Sequence, residues 1–435
     1  MPLYNLFLNK FILPIGDRLF GGAYLKFINE WSFNDLKSEQ ELEKLQIEGL
    51  RNMIEHTCKT VPFYMDKDYK SLSDFPVLTK DVLRNSKDQL ISKNYNTEEL
   101  TEHHSSGSSG VQSFTYMTKE HQFYIRALQT HWWKWSGYEI GDNLLQFGIS
   151  QKRNFQKKLK DLFYRCDYVK AFGLSPTELK KVIGRSKNRK NLYIAGYPSA
   201  INELAKSVEA PMKNINGVIC YGDKFFNSHK ENFKTAFGKN AKVIETYGCA
   251  EGLLMACKYD LDYFYIMSPH VYIEIVDDDN KPVEDGEMGH VLVTCLTNYA
   301  MPLIRYRLGD LAIKLPRSEY PKQRRLKYPL LKQVIGRETD IVKTNSGITL
   351  NVHSFTGIFE HYQSIKQFKV IQNTTDEIFI EYIIDKNYPF SPDIIEELKD
   401  KFIHLTHNSL IIHFEEVAEI LPTKSGKPQI IESNL

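Results

Sequence analysis

The residue pattern with the clearest chemical potential is a run of serines and glycines, Ser105-Ser106-Gly107-Ser108-Ser109-Gly110. Its glycines let the backbone turn tightly and approach a ligand, and its hydroxyl and N–H groups can donate hydrogen bonds to phosphate oxygens. The Gly-Lys-Ser/Thr ending of a Walker loop is absent. Two interpretations stay open for this run alone, a flexible loop or a phosphate cradle.

Four further motifs follow the serine run in order along the chain. They are Tyr247-Gly248-Cys249-Ala250-Glu251, Ile304-Arg305-Tyr306-Arg307-Leu308-Gly309-Asp310, Gly336-Arg337 and Pro422-Thr423-Lys424-Ser425-Gly426-Lys427. The series resembles the adenylate-forming superfamily, and Leu303-Ile304-Arg305-Tyr306 is similar to its branch of phenylacetate-coenzyme A ligases and CapK-like capsular polysaccharide proteins. The resemblance covers nearly the whole chain, as far as residue 427. The motifs are specific as a set, although no single one is.

The resemblance implies a two-step reaction. The chain would use ATP to activate a carboxylic acid or amino acid as its acyl-AMP, release pyrophosphate, and pass the acyl group to an acceptor. Attack of a carboxylate on the α-phosphorus of ATP brings two anions together, so such a site needs a metal, cations and oriented donors. The implied cofactors are ATP and Mg2+, with coenzyme A as one candidate co-substrate.

The resemblance also implies roles for residues in the first two motifs. The loop 105–110 would hold the leaving phosphates of ATP, and Tyr247 with Gly248 would lie against the nucleotide or the acyl group. Glu251 is predicted to be catalytic and to ligate Mg2+, a hard cation that takes carboxylate oxygens. The alternative for Glu251 is an ordinary surface carboxylate.

Three further positions are predicted to bind the nucleotide. The Asp310 carboxylate is suited to accept hydrogen bonds from both ribose hydroxyls, with a turn-capping aspartate as the alternative. Arg337 presents a fixed fork of donors for ribose and phosphate, and it lies where the inter-domain hinge of the family begins. Tyr221-Gly222-Asp223 resembles the adenine-edge segment, although a plain strand and turn fits equally well, so Gly222 and Asp223 are candidates.

Lys427 matches the catalytic lysine of the family, which bridges the reacting carboxylate and the nucleotide. The alternative is a solvated lysine in a tail rich in serine and glycine. The hinge residue stays open between Thr339 and Asp340. Gly347 resembles the segment that faces the acceptor after the small domain reorients.

The elements that must position these motifs follow an α/β pattern. Ser38 and Glu41 form a capping box that predicts the start of a long amphipathic helix. Short β-rich runs alternate with helical or turn-rich stretches at 143–149, 243–247, 271–276 and 290–296. Following the resemblance more than periodicity, we expect an adenylate-forming ligase fold. A large N-terminal α/β domain for nucleotide and acid (1–335) precedes a small mobile C-terminal α+β domain with the catalytic lysine (336–435).

Composition fits a globular chain of 435 residues with 42% hydrophobic and 25% charged residues. A formal net charge of +2 gives no overall attraction to nucleic acid. Six cysteines without a Cys-x-x-Cys pair indicate neither a zinc site nor disulfides, so a cytoplasmic location is expected.

Two segments have features that the motifs do not explain. The apolar run from Leu3 to Phe27 is interrupted by charges, which excludes a signal peptide or transmembrane segment. Packing against the protein body is the first expectation, with peripheral membrane contact as the alternative. Residues 152–190 carry 13 Lys and Arg against three acids. They form either a solvated basic surface or a site for the phosphates of an anionic co-substrate.

Three functions stay open. The first is an acyl-coenzyme A ligase, and the second is a ligase that delivers the acyl group to an amino sugar or hydroxyl in surface polysaccharide biosynthesis. The third is a catalytically silent CapK-like scaffold or binding protein, against which the presence of Glu251, Asp310, Arg337 and Lys427 argues.

Overall fold

The computed structural model describes residues 2–65, 67–69, 71–104, 114–148, 153–172, 174–249, 251–337, 340–359, 361–362, 364–386, 388–421 and 429–435. The chain divides into two compact units. The first comprises Met1–Glu287, Leu292–Leu308 and Ile313–Gln333, and the second comprises Met288–Val291, Gly309–Ala312 and Val334–Leu435. The main stretch of the second unit begins beside the predicted boundary at 335/336. The roles assigned to the two domains stay predictions.

The helices of the first unit are α1 (Leu3–Phe7), α2 (Leu13–Leu19), α3 (Tyr24–Asn34), α4 (Glu39–Thr60), α5 (Lys80–Asn85), α6 (Lys119–Trp135), α7 (Phe155–Phe163), α8 (Pro176–Ser186), α9 (Pro198–Lys206) and α10 (Asn227–Phe237). A π-helical turn, Leu8–Ile12, joins α1 to α2. The predicted capping box begins α4, where the Ser38 hydroxyl accepts a hydrogen bond from the backbone N–H of Glu41.

The strands up to residue 337 are β1 (Thr101–His104), β2 (Phe114–Met117), β3 (Asn143–Gly148), β4 (Cys166–Lys170), β5 (Leu192–Gly196), β6 (Ile215–Cys220), β7 (Lys242–Cys249), β8 (Leu253–Lys258), β9 (Phe264–Ile266), β10 (Val271–Val276), β11 (Met288–Cys295), β12 (Tyr306–Lys314) and β13 (Leu330–Arg337). The four predicted strands in this region correspond to β3, β7, β10 and β11.

Eleven strands form one sheet in the order β10-β11-β12-β13-β9-β8-β7-β6-β5-β3-β4. Neighbours from β4 to β7 run parallel, whereas β8 is antiparallel to β7 and β9 is antiparallel to β8. The pairing of neighbouring strands therefore changes from parallel to antiparallel at β7. The carboxyl ends of its parallel strands meet at one edge, which is where open α/β sheets usually bind ligands.

The parallel strands are buried on both faces. Successive residues of a strand point to opposite faces, and Leu144 belongs to one apolar cluster whereas Leu145 belongs to another. The first cluster contains Trp31, Trp132 and Trp135, so these tryptophans pack in the core. Runs of apolar residues without alternation are therefore the expected sequence of these strands.

The second unit has its own core. Its elements are β14 (Ile341–Lys343), β15 (Thr349–Asn351), α11 (Val352–Phe359), β16 (Ile365–Gln372), β17 (Glu377–Ile384), α12 (Asp393–Leu405), β18 (Ile411–Glu416) and β19 (Ile431–Ser433). Four strands form a sheet in the order β18-β17-β16-β19. The rings of Phe355 and Phe359 lie 5.1 and 5.7 Å from that of Phe402, which ties α11 to α12. This α+β arrangement agrees with the predicted fold class.

The apolar run from Leu3 to Phe27 packs against the body only in part. Phe27 is buried in α3, and Leu8 and Leu13 are buried in the segment before it. Other large apolar residues of the same segment are exposed, among them Leu3 and Leu19. No helix of the described residues is long and apolar enough to cross a membrane.

Two histidines are enclosed in the core of the first unit. His121 is 6% exposed and His270 is 0% exposed, and their rings lie 6.2 Å apart. Burial lowers the pKa of His121 to about 4, with a smaller contribution from His103. Burial also lowers the pKa of His270 well below its usual value. Both side chains are therefore neutral in the folded protein near pH 7.

We expect the folded state to lose stability as the pH falls from about 6.5 towards 4. In this window the unfolded chain binds protons at these histidines and the folded chain does not, so lowering the pH favours unfolding. Replacing His121 with Phe should make the loss smaller by up to roughly 3 kcal/mol. Urea unfolding at a series of pH values measures this difference.

The matched control is His361→Phe, because His361 is exposed. That variant should show the pH dependence of the unchanged protein. A His121→Phe protein with the same pH dependence as its parent would contradict the assignment of acid sensitivity to His121.

Candidate nucleotide-binding site

Strands β1 and β2 flank the serine run in the sequence and form a β-hairpin. Strands β1 and β2 pair antiparallel from Thr101↔Met117 to His104↔Phe114, so the hairpin defines where the chain enters and leaves residues 105–113. Those residues lie outside the described part of the chain. Lys87 Nζ and the Tyr116 hydroxyl both donate to Glu102 Oε2, at 3.0 and 2.6 Å. This carboxylate holds the hairpin in place.

Glu251 lies in the connection between β7 and β8 and is only 6% exposed. The Tyr306 hydroxyl donates to Glu251 Oε1 at 3.0 Å, and the Thr115 hydroxyl donates to the backbone oxygen of Glu251 at 3.3 Å. Thr115 belongs to β2. The structure thus brings together Thr115, in the strand that follows the serine run, Glu251 of the motif 247–251, and Tyr306 of the motif 304–310.

Tyr247 and Gly248 lie at the end of β7, where the register with β8 shifts. A Cβ at Gly248 would lie 2.6 Å from the backbone oxygen of Leu253, so a larger residue would force the two strands apart. The Tyr247 ring is 8% exposed and lies 6.3 Å from the ring of Phe264. Contact of Tyr247 and Gly248 with nucleotide or acyl group stays a prediction.

The segment 221–223 follows β6, the parallel neighbour of β7. The Tyr221 hydroxyl accepts a hydrogen bond from Gln146 Nε2 at 3.1 Å. Gly222 has a φ of +88°, and a Cβ there would lie 2.4 Å from the Tyr197 ring. The Ser199 hydroxyl donates to Asp223 Oδ2. Gly222 and Asp223 therefore lie at the carboxyl edge of the sheet, one strand away from Tyr247.

Three other predicted positions lie on separate elements. Asp310 lies in β12 and Arg337 ends β13, and both are half-buried. Gly347 lies in the turn between β14 and β15 with a φ of +81°. Their roles stay predictions. Lys427, Thr339 and the serine run lie outside the described residues.

Sequence reasoning assigned no role to Tyr306, Thr115 or Arg305. Arg305 is 4% exposed, and its guanidinium donates to Glu274 Oε2 at 3.2 Å. It also donates to the backbone oxygens of Ser73, Phe75 and Asn280 at 3.2, 3.4 and 3.0 Å. Burial raises the pKa of Glu274, and Arg305 partly offsets this rise. An arginine set among Leu303, Ile304 and Tyr306 is the sequence signal for such a buried clamp.

The side chains present fit a Mg2+ ion that is held chiefly by its nucleotide. Within the described residues no group of three or more His, Cys, Asp or Glu side chains could hold a metal ion. Mg2+ in nucleotide sites is usually bound through one or two carboxylates together with substrate phosphates. The Glu251 carboxylate, which accepts a hydrogen bond from Tyr306, has the hard oxygen atoms that such a site requires, and its role as a Mg2+ ligand stays a prediction.

Comparison with known sequences agrees with the resemblance carried by the motifs. A family model described as the CapK C-terminal domain matches residues 342–434. Protein CapK of Staphylococcus aureus is 22% identical over 424 residues, which cover 92% of this chain and 91% of that protein. Phenylacetate-coenzyme A ligase of Escherichia coli (strain K12) is 32% identical over 132 residues, covering 28% of this chain and 29% of the ligase.

Comparison with solved structures shows the same fold. A structure of 2-hydroxyisobutyryl-CoA ligase in the postadenylation state aligns with a TM-score of 0.69 at 16% identity, covering 90% of this chain and 88% of the ligase. ATP-bound MatB from Rhodopseudomonas palustris aligns with a TM-score of 0.57 at 13% identity, covering 78% and 68%. These likenesses confirm the predicted adenylate-forming ligase fold.

Replacing Tyr306 with Phe should destabilise the folded protein by roughly 1–3 kcal/mol, because Glu251 loses a hydrogen-bond donor in a buried setting. The free energy of unfolding in urea measures the change. The control is Tyr388→Phe, since Tyr388 is 44% exposed. If both variants were as stable as their parent, the Tyr306–Glu251 hydrogen bond would not support the folded state.

Proposed function

We propose that this chain, which is similar to Protein CapK and to phenylacetate-coenzyme A ligases, activates a carboxylic acid as acyl-AMP and then transfers the acyl group. The observation that carries the proposal is the meeting of Thr115, Glu251 and Tyr306. Thr115 lies in the strand that follows the serine run, and its hydrogen bond to Glu251 brings that strand to a buried carboxylate at the end of β7.

Each predicted group suits one requirement of adenylation. The serine run offers backbone and hydroxyl donors to the leaving phosphates. Glu251 would hold Mg2+ with the phosphate oxygens, and the bound ion would neutralise charge on the triphosphate. The Tyr306 hydroxyl keeps the Glu251 carboxylate in one orientation. Asp310 and Arg337 are proposed to hold the ribose, and Lys427 to offset charge between the carboxylate and the α-phosphate.

Coenzyme A is the first candidate acceptor. The 2-hydroxyisobutyryl-CoA ligase has been solved with 2-HIB-AMP and CoA together, at a TM-score of 0.60 to this chain. An amino sugar or hydroxyl in surface polysaccharide assembly is the second candidate, which the likeness to Protein CapK over 92% of the chain supports. The two acceptors share the first half-reaction. They differ in the nucleophile, which is a thiol in coenzyme A and an amine or hydroxyl in the sugar.

We expect ATP–pyrophosphate exchange that depends on Mg2+ and on a carboxylic acid. A panel of aromatic acids, short aliphatic acids and amino acids identifies the acid. With that acid, Glu251→Gln should lower the exchange rate by ~10²-fold or more, because an amide oxygen is a poorer partner for Mg2+ and carries no charge. Its thermal midpoint should stay close to that of the parent.

Glu245→Gln is the control, since Glu245 lies on β7, the strand that precedes Glu251, and pairs with Lys258 at 2.9 Å. It should retain exchange. A folded protein without exchange for any acid of the panel would favour the scaffold function. An unchanged Mg2+ dependence in Glu251→Gln would return Glu251 to a structural role.

Lys427→Ala should separate the two half-reactions. Acyl-adenylate formation should fall ~10²- to 10³-fold, the usual effect of removing one preorganised charge-stabilising group. Transfer from synthetic acyl-AMP should remain nearly normal, because in the proposed cycle the small domain has then moved this lysine from the reacting groups. Both rates are measured on one preparation, with coenzyme A and with nucleotide-linked amino sugars as acceptors.

Lys424→Ala is the control, since it removes a lysine from the same motif. It should leave both half-reactions unchanged. If Lys427→Ala changed neither rate, or lowered both together with the thermal midpoint, the proposed catalytic role of Lys427 would be wrong.

A further inference from the structure

Helix α7 exposes its apolar side chains. Phe155, Leu159 and Leu162 are 79%, 42% and 71% exposed. No described side chain of this helix is buried. A surface helix of a globular protein normally turns its apolar stripe towards the core, so the orientation of α7 is reversed.

The charged residues of α7 differ in their position around the helix relative to this apolar stripe. At about 100° per residue, Phe155, Leu159 and Leu162 share one face of the helix. Asp161 lies on the opposite side, is half-buried and pairs with Arg153. Lys158 flanks the stripe on one side, whereas Lys157 and Lys160 lie farther round the helix, away from the stripe.

A second exposed apolar stripe runs along the segment 3–20. Leu3, Phe7, Phe11, Ile15 and Leu19 recur every four residues and are 87%, 53%, 56%, 60% and 77% exposed. A π-helical turn contains more residues than an α-helical turn. The π-helical turn Leu8–Ile12 therefore keeps side chains that are four residues apart closer to one face of the segment. The opposite side of the segment is anchored by Leu8 and Leu13, which are buried.

The two stripes belong to neighbouring elements. The Tyr4 hydroxyl of α1 donates to the backbone oxygen of Phe163 at 2.7 Å, and the Arg165 guanidinium lies 3.8 Å from the centre of the Tyr4 ring. We call the segment 3–20 together with residues 153–165 the apolar–basic surface. It lies wholly within the first unit.

The apolar–basic surface carries an excess of positive charge. Residues 153–165 contain five Lys and Arg and one acid, Asp161, which Arg153 already pairs. In the segment 3–20, Lys10 and Arg18 are exposed, whereas the Asp17 carboxylate accepts hydrogen bonds from the backbone N–H groups of Tyr24 and Leu25.

We propose that the apolar–basic surface docks this protein on a lipid bilayer that presents anionic headgroups. Exposed Phe and Leu side chains would enter the boundary between headgroups and acyl chains, and the flanking cations would contact lipid phosphates. Lysines beside an apolar stripe favour this occupant over a protein partner, because lysine is depleted in protein interfaces and its long stem lets the ammonium reach the headgroups.

The test is sedimentation of the full chain with sucrose-loaded vesicles of phosphatidylcholine alone or mixed with phosphatidylglycerol. The protein should sediment with the mixed vesicles, and raised salt should release part of it. Phe155→Ser/Leu162→Ser should lower the ratio of bound to free protein by about tenfold or more, because two apolar side chains are lost from the bound state. Lys10→Glu/Lys158→Glu, which reverses one exposed cation in each part of the surface, should lower it by a similar factor.

The matched control is Leu405→Ser/Ile411→Ser, which removes two exposed apolar side chains from the second unit. It should sediment like the parent, and unchanged thermal midpoints verify folding of all variants. Absence of binding to mixed vesicles, equal binding to both vesicle types, or equal binding by all variants would overturn the proposal. So would self-association in sedimentation velocity that Phe155→Ser/Leu162→Ser abolishes while no vesicle binding is seen, because the occupant would then be a second copy.

Discussion

A carboxylate that is removed from water needs hydrogen-bond donors or a cation in place of its hydration, and Glu251 imposes this requirement at the end of β7. The side chain is 6% exposed, and the Tyr306 hydroxyl donates to it. This contact places the first residue of β12 at the β7–β8 connection. The Thr115 hydroxyl donates to the backbone oxygen of Glu251. This hydrogen bond brings β2, the strand that follows the serine run, to the same connection. One buried acid thus relates three motifs that are far apart in sequence.

The position of Tyr306 depends on the residue before it. Arg305 has a φ of +49°, a conformation that costs a non-glycine residue free energy unless its surroundings impose it. Its guanidinium binds Glu274 and three backbone oxygens, and its own N–H donates to the Thr294 hydroxyl at 3.0 Å. A lysine has no planar fork and could not make this set of bonds. Arg305 therefore fixes the backbone, and Tyr306 faces the candidate site.

Predictions from the sequence were accurate where the signal is local. Ser38 and Glu41 begin α4 as expected, and β10 has the predicted bounds, because capping and strand patterns depend on neighbours in the chain. The motif series identified the fold through resemblance. The partners of Arg305 could not be predicted, since Ser73 and Phe75 are separated from it by more than 200 residues.

The direction in which an amphipathic helix faces is a further property that its own sequence does not contain. The order of residues 155–163 shows that Phe155, Leu159 and Leu162 share a face, but periodicity is the same whether that face meets a core or an outside partner. In α4 the same kind of pattern buries Leu42 and Met53. In α7 the pairing of Asp161 with Arg153 occupies the inner side, and the apolar face is left outside. In α7, therefore, the position of the Asp161–Arg153 ion pair, and not hydrophobicity alone, accounts for which face of the helix packs against the protein.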